Sequence, residues 1–348
     1  MEKVSIIIGL YNVASFLRDK QLGCLLNQTY PNLEIILVND GSTDDTQQLC
    51  EELRSNDNRI VIIQKENGGL GSARNAGLEA ATGTYIWFYD VDDEAELNLI
   101  EKNVNWMEKH QSDMNIFGFW CITPYLNLTE EVTFKERIIT DNNSLKSIFI
   151  DELLLVPNGN GFAWNKFYRK SFIDKHHFRF GNQRIQQDEA FNLQFYPELE
   201  NVYISNEMLY HYYIYNAGNN RSKFIKDRYD IYLSIFNHLM NFASKWELKD
   251  ERLEKYTYTR FYSGIGSVIL FNTFHPNSGY SLQEQKNEIL RILSLDSCKN
   301  CLMYIKTNTT MGLEGRLYLN AYLQSSFSKI LVLRFVFNTL RKIKKIFR

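Results

Sequence analysis

The chain has 348 residues, 44% of them hydrophobic, and its 39 Lys and Arg against 41 Asp and Glu give a formal net charge of −2. This length allows a sizeable core and predicts one large domain with an extension, or two domains. The near-neutral charge argues against a protein that binds nucleic acid through bulk electrostatics.

The cysteines and the apolar runs indicate a cytoplasmic protein. Five cysteines in a chain of this length do not make a disulfide framework, and we expect the lone CxxC at Cys298 and Cys301 to hold ordinary thiols rather than a metal. The apolar run at 4–8 is too short for a signal peptide. No uncharged run reaches the ~20 residues that span a bilayer.

Short β-branched runs alternate with helical patterns through the first hundred residues. The runs predict strands at 4–8, 34–38, 59–63 and 85–88, and the patterns between them predict helices at 14–27, 43–55 and 71–81. Apolar strands separated by helices indicate an α/β fold with a mostly parallel sheet. Ligands of such sheets bind beyond the carboxyl ends of the strands. We therefore expect the polar loops after these strands to share one rim.

The rest of the chain changes from a mixed pattern to a helical one. Residues 114–214 contain several short strand-like pieces. After about Arg221 the pattern predicts helices at 225–246, 250–271 and 282–293, and a last helical run from about Leu313. No Gly/Pro/Ser linker marks the boundary near residue 220.

The fourth predicted strand opens into the acidic run Asp90, Asp92, Asp93 and Glu94. Alternate residues of an extended segment point the same way, so Asp90 and Asp92 could face one ligand. Carboxylates at a strand end suit Mg²⁺ or Mn²⁺ that bridges to a diphosphate. The alternative is a solvated loop in which Asp92 or Asp93 caps a helix that begins near Glu94.

Two further loops carry candidate binding residues. Asp40, after the second strand, could accept a hydrogen bond from a uracil N–H or a ribose hydroxyl, or could belong to a simple turn before the next helix. The loop from Asn67 is rich in glycine and places Arg74 in the first helical turn, where a guanidinium could bind diphosphate or orient the acidic run. A dinucleotide fingerprint is excluded because Arg74 breaks its pattern.

Together these loops resemble the inverting family 2 glycosyltransferases, which have the GT-A fold. The matching segments are VSIIIGLYN at 4–12, VNDGSTD at 38–44, NGGLGSARNAG at 67–77, DVDD at 90–93, AWNKFY at 163–168 and QDEAF at 187–191. The resemblance implies a catalytic domain at 1–220, with a nucleotide-sugar half at 1–113 and an acceptor half at 114–220. A helical accessory region at 221–312 and a basic amphipathic helix at 313–348 would follow.

The resemblance also implies a UDP-sugar donor and assigns roles in its binding. Asp40 would bind the uracil, Asp90 the ribose or the sugar, and Asp92 the metal, Mn²⁺ or Mg²⁺, while Arg74 would support the acidic loop. The other implied donor contacts are Tyr11, Asn12 and Asn67. The family's usual proline after the first strand is Gly9 here, which predicts a looser backbone.

Asp188 matches the family's catalytic base, and Gln187 replaces the glutamate that usually precedes it. An inverting transfer needs a carboxylate on the acceptor side of the sugar, opposite the leaving diphosphate. Without the resemblance, Asp188 would be interpreted as the cap of an exposed helix. Trp164 is implied to lie near the acceptor or the donor sugar, with a core aromatic as the alternative.

Two more residues are weaker candidates for the phosphates or the metal. His211 lies in an aromatic strand-like run and could reach the metal as a histidine does in some relatives, although a core histidine explains it equally well. Arg221 could contact the diphosphate from a loop.

The segment 332–348 contains no acidic residue. A helical wheel places Arg334, Asn338, Arg341, Lys345 and Arg348 on one face and apolar residues on the other. Such a helix favours the interface of an anionic membrane, at ~1 kcal/mol per basic residue. The alternatives are docking on the catalytic domain or a homo-oligomer.

The sequence therefore predicts a metal-dependent inverting glycosyltransferase, peripheral on the cytoplasmic membrane, that transfers a hexose or an N-acetylhexosamine to a lipid-linked surface polysaccharide. One alternative is the extension of glycans on a glycoprotein adhesin. Another is a catalytically silent homologue that binds nucleotide or glycan, and a third is a nucleotidyltransferase.

Overall fold

The computed structural model describes residues 1–18, 22–156, 161–215 and 224–346, with side chains to residue 341. The chain divides into two compact units, Met1–Ala217 and Gly218–Arg348, which we call the sheet unit and the helical unit. The division lies close to the boundary that the sequence predicts near residue 220.

The sheet unit is built on one ten-stranded sheet. Its strands are β1 Val4–Leu10, β2 Leu33–Asp40, β3 Ile60–Lys65, β4 Tyr85–Phe88, β5 Glu94–Ala95, β6 Met114–Thr123, β7 Leu128–Val132, β8 Arg137–Ile139, β9 Lys166–Arg169 and β10 Val202–Tyr213. The order is β3-β2-β1-β4-β9-β6-β10-β5, with β7 paired to β6 and β8 to β10. The first four strands of this order are parallel, whereas β9 joins both its neighbours antiparallel. The predicted α/β class is confirmed, and the sheet is mixed.

The helices of the sheet unit are α1 Ala14–Arg18, α2 Gly23–Leu26, α3 Thr46–Asn56, α4 Leu70–Ala80, α5 Leu99–His110, α6 Asn142–Ile148, α7 Lys170–His176 and α8 Gln187–Leu193, with a π-helical turn at Phe149–Leu154 and a 3₁₀ turn at Pro124–Leu126. The single helix predicted at 14–27 is wrong: α1 ends at Arg18 and α2 starts at Gly23. Glycine is a poor helix former and lies inside the predicted span. The helix that the capping alternative placed near Glu94 is also absent, because β5 occupies that position and α5 starts at Leu99.

The centre of the sheet is buried on both faces. Every residue of β2 and β4 is buried, as expected for strands that are covered by helices on both sides. Helix α4 approaches β1 closely because glycines face the contact: a Cβ at Gly9 would lie 2.6 Å from Leu70 Cδ1, and one at Gly77 would lie 2.3 Å from Ile7 Cγ2. Gly9 lies within β1 opposite Val38, so its backbone is held in the sheet, and its lack of a side chain leaves room for Leu70 and Ala73 of α4.

The helical unit contains α9 Arg228–Lys245, α10 Glu251–Ser267, α11 Leu282–Ser294, α12 Asp296–Asn308, α13 Leu313–Leu323 and α14 Phe327–Ile346, with a π-helical turn at Val268–Asn272 and a 3₁₀ turn at Pro276–Ser278. Cys298 and Cys301 are buried in its core as free thiols, and burial raises the pKa of each to about 12. In the ranges that the structure describes, no helix combines the length and the apolar character needed to cross a bilayer.

The last predicted helix is two helices, and one residue of the basic face of α14 packs on the helical unit. Ser325, with φ of 47°, lies in the break between α13 and α14. Arg334 donates from Nε to the Leu270 carbonyl at 3.1 Å, and its guanidinium lies 4.1 Å from the centre of the Phe274 ring. Arg334 therefore packs on the bundle, since a guanidinium can stack on an aromatic face while it donates hydrogen bonds.

Candidate active site

The loops after β1 and β2 are joined by hydrogen bonds at one rim of the sheet. The Asn12 amide donates to Ser42 Oγ at 3.0 Å, and the Thr43 amide donates to Asn12 Oδ1 at 2.8 Å. Asn12 adopts φ of 53°, a conformation that asparagine tolerates better than most residues. Tyr11 is half exposed beside it. The structure thus brings Tyr11 and Asn12 to the rim where the sequence predicted a nucleotide.

Asp40 organises the glycine-rich loop, and its carboxylate is almost fully buried. Oδ1 accepts from Lys65 Nζ at 2.6 Å and from the Gly68 amide at 3.0 Å, and Oδ2 accepts from the Gly69 amide at 2.7 Å. The side chain is 3% exposed. In the structure this carboxylate contacts Lys65 and two backbone amides of the loop, and its predicted contact with a uracil stays a prediction.

Asn67 completes this arrangement from the loop side. Its Nδ2 donates to the Asp40 carbonyl at 3.0 Å. Gly41, with φ of 74°, leaves the space that the loop needs, since a Cβ there would lie 2.8 Å from the Asn67 backbone nitrogen. Asn67 therefore binds the neighbouring strand end, and its predicted donor contact stays a prediction.

The acidic run divides into carboxylates with different partners. Asp93 is buried, accepts from Tyr210 Oη at 2.8 Å and from the Tyr213 amide at 2.9 Å, and has its pKa raised well above the usual value, by burial first and then by Asp92 and Asp90. Asp93 therefore holds the loop against β10, which excludes its role as a solvated helix cap. Asp90 instead points to Arg74, whose Nη2 donates to Asp90 Oδ1 at 2.7 Å.

Asp92 differs from its neighbours because its charge is poorly compensated. In the part of the chain that the structure describes, the N–H that reaches its carboxylate is its own backbone amide. Burial, followed by the charge of Asp90, raises the pKa of Asp92 to about 6. A carboxylate in this state is a ready ligand for a cation, because a positive charge would offset both effects.

Arg74 connects the two carboxylates expected to act on donor and acceptor. Besides Asp90, it forms an ion pair from Nη1 to Asp188 Oδ1. The guanidinium is completely buried and lies 5.8 Å from the centre of the Phe88 ring and 5.3 Å from that of Phe180. Burial opposes the charged form, yet the two carboxylates raise the pKa of Arg74 above its ordinary value. The structure thus joins Arg74, Asp90 and Asp188 in one cluster; the contact of Arg74 with the acidic run agrees with the sequence expectation, whereas its pairing with Asp188 was not predicted.

Asp188 lies in the first turn of α8 and points into this cluster. Its Oδ1 accepts from Arg74, and its Oδ2 accepts from the Ala163 amide at 3.1 Å. The side chain is 16% exposed. The interpretation as an exposed helix cap is therefore wrong, because both carboxylate oxygens face partners outside the helix.

The other predicted residues on the acceptor side are buried. Trp164 is 1% exposed, stacks on Tyr210 with ring centres 4.3 Å apart, and belongs to the core, as the alternative interpretation had it. In this structure its ring is not placed to contact a sugar. Gln187 is 6% exposed, and its Oε1 has no hydrogen-bond partner among the described residues. Its acceptor contact stays a prediction.

His211 has a carboxylate contact and a ring contact outside the cluster of Arg74, Asp90 and Asp188. His211 Nε2 lies 2.9 Å from Glu96 Oε1, and its ring stacks on Trp120 with centres 4.6 Å apart. On β10, His211 therefore lies between a carboxylate and an aromatic ring, and neither of these contacts is with Arg74, Asp90 or Asp188. Arg221 lies outside the described residues.

Sequence reasoning missed three residues that shape the site: Lys65, Asp93 and Lys166. Lys65 is the register partner of Asp40 on β3, which a helix–strand pattern does not reveal. Asp93 was visible in the acidic run, but no sequence motif indicated its partners on β10. Lys166 is completely buried two residues from Trp164, within a motif that had already been noted.

The site fits a divalent cation that arrives together with a diphosphate. Three carboxylates, Asp90, Asp92 and Asp188, lie in it, and Arg74 pairs with two of them. Among the described residues, no three His, Cys, Asp or Glu side chains are arranged to hold a metal by themselves. Mg²⁺ and Mn²⁺ often need only one or two carboxylates when phosphate oxygens supply the other ligands. Asp92, with its uncompensated charge, meets that requirement.

Comparison with known proteins agrees with this geometry. Residues 5–177 match the model of "Glycosyl transferase family 2". The glycosyltransferase EpsJ of Bacillus subtilis is 31% identical over 249 residues, which are 68% of this chain and 70% of EpsJ. The glycosyltransferase GlyA of Streptococcus pneumoniae is 30% identical over 63% of this chain, but the match spans only 32% of GlyA.

A solved structure shows the same fold. Staphylococcus aureus TarS 1–349, in complex with UDP-GlcNAc, aligns with a TM-score of 0.63 at 18% identity and covers 97% of this chain and 92% of that one. The sheet topology, the match over the first half of the chain and the similarity to EpsJ lead to one conclusion: the chain belongs to glycosyltransferase family 2 and has the GT-A fold.

Proposed function

We propose that this protein is a divalent-cation-dependent inverting glycosyltransferase that moves a hexose or an N-acetylhexosamine from a UDP-sugar to a glycan acceptor. The observation that supports it best is the ion pairing of Arg74 with both Asp90 and Asp188. A carboxylate suited to the acceptor and a carboxylate suited to the donor are thereby held on one guanidinium. The UDP-GlcNAc complex of TarS supports a UDP-sugar as donor.

In this proposal the chain's own residues bind the donor and move one proton. Tyr11, Asn12 and the loop held by Asp40 would line the nucleotide. Asp92 would hold Mn²⁺ or Mg²⁺ with the diphosphate, and the ion would supply positive charge beside the leaving group. Asp188 would accept the proton of the acceptor hydroxyl as the new glycosidic bond forms on the face opposite the diphosphate.

A donor screen tests the proposal. Purified protein is incubated with individual UDP-sugars, with and without Mn²⁺, and UDP release is measured in the presence of a lipid-linked glycan or a protein-bound glycan. We expect metal-stimulated release with one donor class, and only when an acceptor is present. If sugar is transferred to the protein-bound glycan alone, the acceptor is that glycan and not the lipid-linked intermediate of a surface polysaccharide. Binding of UDP with background turnover for every donor and acceptor would favour the silent homologue.

We further propose that α14 places the enzyme on an anionic membrane at the cytoplasmic face. Four apolar side chains of α14, spaced as on one helix face, are 42% to 73% exposed: Val332, Phe335, Val336 and Leu340. After Glu314 the sequence has no acidic residue, while Lys and Arg recur. Exposed apolar side chains on a cationic helix suit the interface of an anionic bilayer.

Vesicle co-sedimentation tests this localisation independently of catalysis. The wild-type protein is expected to bind vesicles that contain phosphatidylglycerol and to bind neutral phosphatidylcholine vesicles weakly. Phe335→Ser should lower binding, whereas Leu282→Ser, which removes a 63% exposed side chain on α11, should not. Equal binding by both variants would contradict the proposal. Loss of a dimer in Phe335→Ser, without any vesicle binding by the wild-type protein, would assign α14 to a second copy of the chain.

A further inference from the structure

The amide that binds Asp188 belongs to a short buried segment, Phe162 to Asn165, that we call the 162–165 turn. The carbonyls of this turn accept hydrogen bonds from well-buried donors. Phe162 accepts from Asn192 Nδ2 at 2.8 Å, and Trp164 accepts from Trp87 Nε1 at 2.8 Å. The Asn165 carbonyl accepts from the Phe117 amide at 3.1 Å. The turn is therefore fixed from several sides, and its Ala163 amide points to Asp188.

Lys166 anchors this turn through the hydrogen bonds of its side-chain nitrogen. Its Nζ donates to the Phe162 carbonyl at 2.6 Å and to Asn165 Oδ1 at 2.9 Å, so it binds both ends of the turn. The side chain is completely buried. Burial lowers the pKa of Lys166 to about 7, against the opposing effect of the Asp188 charge.

Burial of a lysine is unfavourable unless its contacts compensate, because an ammonium is costly to remove from water. A methionine would fill similar space without that cost, so the contacts of Nζ must matter for this turn or for its neighbour Asp188. The arrangement leaves Asp188 with one oxygen on Arg74 and the other on the Ala163 amide. Each carboxylate oxygen has two lone pairs, so this orientation still leaves room for an acceptor hydroxyl.

We propose that Lys166 is a positioning residue for glycosyl transfer: it fixes the 162–165 turn so that the Ala163 amide and Arg74 together hold the Asp188 carboxylate in one orientation. This inference rests on the proposed function, because it assumes that Asp188 is the base. Lys166 itself contacts neither the UDP-sugar nor the glycan acceptor in this proposal. It also gives the AWNKFY segment a role that differs from the sugar contact predicted for Trp164.

The main test compares Lys166→Met with Asn115→Ala. Asn115 is also fully buried and lies on the strand next to Lys166, but its side chain donates to the Asn103 carbonyl at 3.1 Å and accepts from Ser112 at 2.6 Å, contacts that do not include the 162–165 turn. Both variants should melt at lower temperature than the wild-type protein. Only Lys166→Met should lower kcat, by roughly 10- to 100-fold as expected for a misplaced catalytic group. Its KM for the UDP-sugar and its Kd for UDP should not change.

A milder variant keeps the inference testable if Lys166→Met does not fold. Tyr168 lies with its Oη 3.3 Å from the Ala163 carbonyl and 2.8 Å from Asn192 Oδ1. Tyr168→Phe removes only this hydroxyl and should lower kcat a few-fold with KM unchanged.

The outcomes separate the inference from the proposed function. Wild-type kcat in folded Lys166→Met, or in Tyr168→Phe where that variant replaces it, would overturn the positioning role. An equal loss of kcat in Asn115→Ala would do the same, since the effect would then be one of stability. Asp188→Asn is measured in parallel: if it turns over at the wild-type rate, the assignment of the base fails, and the inference fails with it.

Discussion

Two parts of the rim differ in how far their carboxylate charges are compensated by neighbouring groups. Around Asp40, the carboxylate is paired with Lys65 and with the amides of Gly68 and Gly69. Around Arg74, two carboxylates, Asp90 and Asp188, share one guanidinium, and a third, Asp92, has its pKa raised by burial and by the charge of Asp90. The part around Asp40, where we propose that the nucleotide binds (the nucleotide side), is thus completed by folding alone. The part around Arg74, where we propose that the sugar binds (the sugar side), has an excess of negative charge that a cation would balance on ligand binding.

The largest expected effect is on the sugar side. Asp188→Asn keeps the shape of the side chain and removes its basicity. We expect kcat to fall by ~10²–10⁴, the range for loss of a general base, with Kd for UDP unchanged, because the nucleotide contacts lie on the other side of the rim. Steady-state kinetics and UDP titration measure the two quantities. Turnover at the wild-type rate would remove Asp188 from the mechanism.

The next prediction concerns Asp40 and the glycine-rich loop that it holds. Asp40→Ala leaves the Lys65 ammonium and two loop amides without their acceptor. We expect the free energy of unfolding to fall by about 2–4 kcal/mol and the KM for the donor to rise, since the glycine-rich loop loses its anchor. Urea denaturation and donor kinetics are the measurements. As a matched control, Lys65→Met removes the more exposed partner and should destabilise less; the reverse order would show that Asp40 does not organise the loop.

The third prediction uses the pKa of Asp92 in the metal-free protein. The pKa of Asp92 is about 6 in the folded protein, above the value of about 3.9 for an aspartate in an unfolded chain. The fold therefore favours the protonated acid, and stability is lost as pH rises from about 4 to about 6. Asp92→Asn avoids this loss, so it should stabilise the protein by about 1–3 kcal/mol at pH 7.5 and have little effect at pH 4.

Denaturation in EDTA at the two pH values measures this difference. Asp296→Asn is a suitable control because that carboxylate is 95% exposed, and its replacement should change the free energy of unfolding by less than about 0.5 kcal/mol. Destabilisation of Asp92→Asn at pH 7.5 would mean that Asp92 is already compensated in the metal-free protein. The two sides of the rim would then not differ as described.

The motifs named Arg74, Asp90 and Asp188 as candidate residues, but they did not indicate what Asp40 contacts. Arg74, Asp90 and Asp188 each lie in a recognisable segment, and a parallel sheet brings such segments to one rim. The partner of Asp40 depends on strand register, because Lys65 lies opposite it only in the observed pairing of β2 and β3. A sequence pattern specifies which residues alternate along a strand, but one chain alone does not specify that register.

In the helical unit, likewise, a sequence pattern does not specify how a helix packs. A wheel identifies which residues of α14 share a face, but it does not say which face packs. Arg334 lies on the basic face of the wheel, yet it packs on Phe274, while Phe335 is 73% exposed. Long cationic side chains can cover apolar surface with their stems and stack through their heads. The polarity of the side chains therefore does not identify the packed face.

The central claim is that Asp92 recruits a divalent cation to the negatively charged sugar side. The most direct measurement is Mn²⁺ binding, followed by electron paramagnetic resonance, in the wild-type protein and in Asp92→Asn, each with and without UDP. We predict that UDP strengthens Mn²⁺ binding in the wild-type protein and that Asp92→Asn weakens the Mn²⁺ bound with UDP by at least about tenfold. Equal Mn²⁺ affinity in the two proteins with UDP present would contradict the account.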